Sequence, residues 1–160
     1  MRVWAVANQK GGVGKTTSTV SLGGLLAEQG HKVLLIDLDP HGSLTSYFGY
    51  DPDSLSASSY QLFQGEANKR SDDVLSLISS TSVPGLSLMP TSPALATVER
   101  QMTGKDGMGL RVNKALQSID GTFDYVLLDC PPVLGVLMIN ALAACEKLIV
   151  PVQTEFLALK

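Results

Sequence analysis

Lys10-Gly11-Gly12-Val13-Gly14-Lys15-Thr16-Thr17 stands between a short apolar run, Val3 to Ala7, and a helical segment running from Thr16 to about Gln29. Strand, glycine loop and helix in that order are the setting a phosphate-binding loop requires. Phosphates carry dense negative charge. Glycines at 11, 12 and 14 let consecutive backbone N–H groups turn inward with no Cβ in the way. The helix that follows directs its positive end at the same anion. Lys15 adds a mobile positive charge, and the Thr16 hydroxyl is suited to ligating Mg²⁺. The common form of the loop begins with glycine, four residues before Gly-Lys-[Ser/Thr]. Gln9 occupies that first position here, so only the Gly14-Lys15-Thr16 core of the pattern is kept.

Working outward, Gly30 stands where a helix-ending glycine belongs. Gly23 and Gly24 inside the helix each cost roughly 1 kcal/mol relative to alanine, which close packing on a sheet would offset. Val33 to Ile36 reads as a second buried strand ending in Asp37. Pro40 to Arg70, rich in Ser, Gly, Tyr and Asp, reads as loop with short helices. Leu86 to Met89 reads as a strand and Pro93 to Met102 as a helix. Met108, Val112, Ala115, Leu116 and Ile119 form the core-facing stripe of an amphipathic helix. Tyr125 to Leu128 is a further strand, ending in Asp129. Val136 to Cys145 is an apolar helix, and Leu148 to Val152 a last strand. Strands alternating with helices predict an α/β fold, a doubly wound, mostly parallel sheet with helices on both faces. Ligands of such sheets bind beyond the carboxyl ends of the strands. The glycine loop, Asp37-Leu38-Asp39 and Asp129 all follow strands.

The 160 residues fit one domain, and 44% hydrophobic residues supply its core. A net charge of -3 gives no basic balance pointing to nucleic acid. Cys130 and Cys145 lack the spacing of a zinc site or a disulfide framework and read as reduced thiols. The N-terminus lacks the pattern of a signal peptide. The longest apolar stretch, Val133 to Cys145, is interrupted by Gly135 and Asn140 and falls short of the roughly 18 residues of a membrane span. A cytoplasmic protein with no transmembrane segment is expected. His31, in a helix-to-strand turn, is expected to face solvent. His41 lies near the phosphate loop, where nothing in the motif needs an imidazole.

The octet Lys10 to Thr17 resembles the deviant Walker A box of the ParA and MinD ATPases, which share the P-loop NTPase fold. In that family an extra lysine, matched by Lys10, reaches the phosphates of the partner subunit in a nucleotide-sandwich dimer. Leu34-Leu35-Ile36-Asp37-Leu38-Asp39-Pro40-His41-Gly42-Ser43 resembles the second box, usually ending Asp-Pro-Gln-Gly-Asn. By that resemblance Asp39 positions the attacking water and Asp37 lies near the metal's water shell. His41 and Ser43 depart from the usual Gln and Asn. Tyr125 to Pro132 resembles the Walker B strand, in which Asp129 holds Mg²⁺ through water and Pro131-Pro132 opens a switch loop. Leu148 to Phe156 resembles the strand and helix start that follow in ParA proteins.

The resemblance implies ATP and Mg²⁺ as cofactors, with Lys10, Gly11, Gly12, Val13, Gly14, Lys15, Thr16 and Thr17 around the nucleotide. Thr16, Asp37 and Asp129 would serve the metal, and Lys10, Lys15, Asp39 and Asp129 the hydrolysis. It implies a homodimer formed on ATP binding, an activating adaptor of the ParB kind, and nonspecific DNA binding in the full-length protein. By the same resemblance a plasmid, a chromosome or a protein assembly is the expected cargo. Family members run on for roughly another hundred residues, so residues 1–160 read as a single NTPase domain lacking its C-terminal portion. Two alternatives stand beside this reading: a MinD-like membrane-associated ATPase, and an iron–sulfur reductase resembling the nitrogenase iron protein. The placement of Cys130 and Cys145 does not match the second.

Overall fold

A computed structural model of the chain describes residues 1–154. Six strands form one sheet: β1 (Arg2–Val6), β2 (Val33–Asp37), β3 (Ser79–Ser80), β4 (Leu86–Met89), β5 (Tyr125–Asp129) and β6 (Lys147–Ile149). Their order is β3-β4-β2-β5-β1-β6, and all pairs are parallel except the β3–β4 edge. The helices are α1 (Lys15–Glu28), α2 (Ser43–Tyr47), α3 (Ser71–Leu75), α4 (Leu95–Met102), α5 (Arg111–Ser118) and α6 (Val136–Ala144). Short 3₁₀ turns at Ser59–Phe63 and Met108–Leu110 complete the order.

The period-2 geometry of a strand explains the layers. Val33 and Leu35 of β2 pack with Ala27 of α1 and with Leu44, while Leu34 and Ile36 pack on the other face with residues of α4, α5 and α6. A sheet buried on both faces reads as continuous hydrophobic runs, as these strands do. The stripe from Met108 to Ile119 is buried throughout and forms part of the second layer. Its first turn is 3₁₀, so α5 begins at Arg111.

Gly23 fulfils the packing expectation. A Cβ built there would lie 2.7 Å from Leu35 Cδ2 and 3.3 Å from Leu86 Cδ1. Gly24 does not, since a Cβ there would meet open space. The last strand is shorter than its sequence suggests and ends at Ile149. Pro151, which has no N–H to give a ladder, lies just beyond it. The segment from 71 to 80 adds α3 and the two-residue β3, which have no hydrophobic periodicity to announce them. The end of the segment Leu148 to Phe156, where the resemblance implies a helix start, lies outside the described residues. Among those described, no helix is long and apolar enough to cross a membrane.

Candidate phosphate-binding site

Parallel register brings the site together. Asp129 is the Cα partner of Val6 on one side and of Asp37 on the other. The three strands therefore end at one level. The glycine loop leaves β1 there, and the Asp39 loop leaves β2.

Two glycines take conformations that a side chain would resist: Gly12 has φ 71° and Gly14 has φ 90°. Gly14 caps α1 with no side-chain hydrogen bond, so the first turn of the helix keeps its free N–H groups. Lys15 is buried, and its Nζ donates to the Lys10 carbonyl at 3.1 Å. Among the described residues, no carboxylate lies within ion-pair distance of it. A buried ammonium beside free helix amides is a receptor for an anion. Lys10 is exposed at the tip of the loop.

Thr16 Oγ1 donates to Asp129 Oδ2 at 2.7 Å, and Thr19 Oγ1 lies 3.4 Å from Asp129 Oδ1. Burial pushes the Asp129 carboxyl up to about 6, the Asp39 charge adds to this, and the Thr16 bond and the Lys15 charge oppose it. A hydroxyl and one carboxylate side by side fit Mg²⁺, which takes one or two carboxylates and completes its shell with phosphates and water. No group of three His, Cys, Asp or Glu suited to a metal occurs among the described residues. The site therefore fits a metal that arrives with phosphate better than one held by the protein alone.

Asp37 is fully buried at the end of β2. Its Oδ2 accepts from Thr45 N at 2.9 Å and Thr45 Oγ1 at 2.7 Å, and its Oδ1 accepts from Asp39 N at 3.0 Å. Burial raises its carboxyl to about 7, against the lowering effect of the Thr45 hydrogen bond and with the Asp129 charge adding to the rise. Thr45 Oγ1 also accepts from Thr91 N at 2.9 Å, tying the loop to the end of β4. Asp39 is only partly covered. Its Oδ1 accepts from His41 N and contacts His41 Nδ1, both at 3.0 Å. The structure thus gives His41 a contact that its place in the motif does not foretell. His31 is half-covered, packing edge-on against Tyr125 with centroids 5.1 Å apart.

A cleft of 380 Å³ is lined by Gly11, Gly12, Gly14, Lys15, Thr16 and Thr17 with Asp39, His41, Ser43 and Pro132. A larger, mostly apolar cavity of 520 Å³ adjoins it and shares Asp39, His41 and Pro132. The glycine loop and Lys15 line the smaller and not the larger, so the smaller is the candidate anion site.

Three contacts escaped sequence reasoning because they join residues distant in the chain. Asn8 Nδ2 donates to the Pro151 carbonyl at 2.8 Å; beyond these three contacts, the Asn8 Oδ1 also makes a local bond, accepting from Lys10 N at 2.9 Å. Gln153 Nε2 donates to the Gly12 carbonyl at 3.0 Å. Glu99 Oε2 accepts from Leu137 N at 3.2 Å, capping α6 where Gly135 offers no side chain. Cys130 is buried, and burial drives its thiol well above the ordinary range, which is unfavourable for a cluster-ligating thiolate.

Residues 1–160 match the family described as “AAA domain”. The chain belongs to this family, in its ParA-like branch. It is 39% identical over 159 residues to the sporulation initiation inhibitor protein Soj of Bacillus subtilis, covering 99% of this chain and 61% of Soj. It is 41% identical over 162 residues to the chromosome partitioning protein ParA of Caulobacter vibrioides, covering 100% of this chain and 59% of that one. A structure of cobyrinic acid a,c-diamide synthase from Mycobacterium smegmatis, with an ATP analogue and magnesium, superposes with TM-score 0.88 at 44% identity, covering 99% of this chain and 62% of that one. The chain thus spans about three-fifths of the length of these relatives.

Proposed function

We propose that this ParA-like chain is the nucleotide-binding part of an ATP-driven switch that dimerises on Mg-ATP and positions or segregates a cargo. The observation that carries the reading is the Thr16–Asp129 hydrogen bond beside a buried Lys15 that has no carboxylate partner among the described residues, at the mouth of a glycine loop that carries the exposed Lys10. In this reading Gly11, Gly12, Val13, Gly14 and Thr17 wrap the phosphates and Lys15 neutralises them. Thr16 ligates Mg²⁺, and Asp129 holds it through water. Asp37 supports the metal's water shell from beneath. Asp39 orients the attacking water, and Lys10 reaches the nucleotide of the partner subunit.

Similarity to Soj and ParA supports partition as the setting. It further supports nonspecific DNA and a ParB-like activating adaptor as partners, with the ATP state associated with the nucleoid in the cytoplasm. The test uses the full-length protein with no nucleotide, ADP and ATP, over a salt series. Binding to DNA of any sequence only with ATP, weakening steeply with salt, is expected. Binding to anionic vesicles in place of DNA would move the protein to the MinD-like reading.

The 44% identity to the mycobacterial structure favours a second reading, in which the same site serves a cobyrinic acid a,c-diamide synthase. ATP consumption that requires cobyrinic acid and ignores DNA would establish it in place of the first.

A further inference from the structure

We infer that His41 is a positioning residue for hydrolysis, holding the Asp39 carboxylate in the orientation that aims its second oxygen at the attacking water; the inference rests on the ATPase reading above.

The geometry begins with a turn. Gly42 N donates to the Asp39 carbonyl at 3.0 Å, and Gly42 takes φ 71°. The turn is wedged: a Cβ on Gly42 would lie 2.6 Å from Pro52 Cγ and 3.2 Å from Thr91 Cγ2. His41 is therefore held in place by backbone packing while its ring stays in solvent, with 83% of its side chain exposed. From that perch it presents two nitrogens to one oxygen, the backbone N–H as donor and the ring Nδ1 as donor in the tautomer that carries its proton there. Its backbone N–H and its Nδ1 both lie 3.0 Å from Asp39 Oδ1. Among the described residues, no donor reaches Oδ2.

A carboxylate bound at one oxygen by a single donor can still swing about its last torsion, which is broad and roughly two-fold. Two donors converging on Oδ1 narrow that swing and leave Oδ2 as the free acceptor. Oδ2 is then the oxygen available to a water beside the phosphates, since Asp39 and His41 both line the phosphate cleft. A water-orienting group acts through geometry, and small misplacements of it are expensive in rate. The ring must carry its proton on Nδ1, which both the corresponding neutral tautomer and the imidazolium provide. A side-chain amide at the same position also offers an N–H donor, so glutamine is the conservative replacement.

The experiment compares wild type, His41→Ala, His41→Gln, Asp39→Ala and the Asp39→Ala/His41→Ala double variant in the full-length protein. Hydrolysis and Mg-ATP affinity are measured separately. His41→Ala is expected to lower kcat about tenfold, the loss of one hydrogen bond's worth of orientation, and to leave Mg-ATP affinity within about twofold. His41→Gln restores most of the rate. The double variant is no slower than Asp39→Ala alone, because the imidazole acts only through that carboxylate. Because the ring is exposed and the turn is held by Gly42, the alanine variant should fold normally, checked by its unfolding midpoint. A kcat near wild type in His41→Ala, a loss not rescued by glutamine, or losses that add in the double variant would overturn this inference while leaving the ATPase reading intact. A wild type with no Mg²⁺-dependent hydrolysis, or an Asp39→Ala variant hydrolysing at the normal rate, would overturn both.

Discussion

Asp37 and Asp129 are register partners at the carboxyl ends of adjacent parallel strands, both buried and both with carboxyls held above their ordinary range. Two buried acids side by side keep protons that the unfolded chain would release. Metal-free protein should therefore lose stability as pH rises from about 4 to about 7, where the unfolded chain holds fewer protons than the native one. Urea unfolding across that window checks the slope. In Asp37→Ala it should be shallower by up to about 1.4 kcal/mol per pH unit. A metal-free stability that climbs through the window would contradict the burial of the pair.

Thr16→Ala should weaken nucleotide affinity far more with Mg²⁺ than without it. The hydroxyl sits on Asp129 at 2.7 Å, where a metal ligand belongs. Titration of nucleotide with and without the metal gives the answer, and equal losses would place Thr16 among the phosphate donors instead.

Lys10→Ala should leave one subunit able to bind nucleotide while ATP no longer drives dimerisation or hydrolysis. Lys10 is exposed at the loop tip, and its amide is fixed by Asn8. Scattering with and without ATP reports the dimer. Wild-type hydrolysis by Lys10→Ala alone would remove its role across the interface.

Asp39→Ala should keep ATP binding and lose hydrolysis by about 10² or more, the size typical of a lost water-orienting group. The full-length variant should persist as an ATP dimer on size exclusion. Loss of ATP binding together with hydrolysis would move Asp39 into the metal site.

Gly135→Ala should destabilise the protein by about 1 to 2 kcal/mol through the cap it displaces. Its backbone is extended and tolerates a side chain, but the new Cβ would collide with the Glu99 carboxylate that receives Leu137 N. In a Glu99→Ala background the same change should be nearly neutral, read from denaturant midpoints. Equal costs in both backgrounds would show that Glu99 is not the obstacle.

The glycine loop, Asp39 and Asp129 were legible because their chemistry is local: each follows a strand within a few residues. The strands were legible for the same reason, since a sheet covered on both faces needs unbroken apolar runs. That Asp37 would face Asp129 was not, because it depends on β5 lying between β1 and β2, an order no periodicity encodes. Gly23 and Gly24 look alike in sequence, yet only Gly23 faces Leu35. Asn8, Thr45, Glu99 and Gln153 act through contacts with residues far along the chain, for which residue type alone gives no cue.

Asn8 holds Pro151 and Gln153 holds Gly12, so the strand-end segment after β6 is clamped to the glycine loop. The two therefore behave as one mechanical part. Any shift of the Gly12 carbonyl would pull directly on Gln153. A displacement on either side of this pair reaches the other through two side chains alone, with no relay through the core.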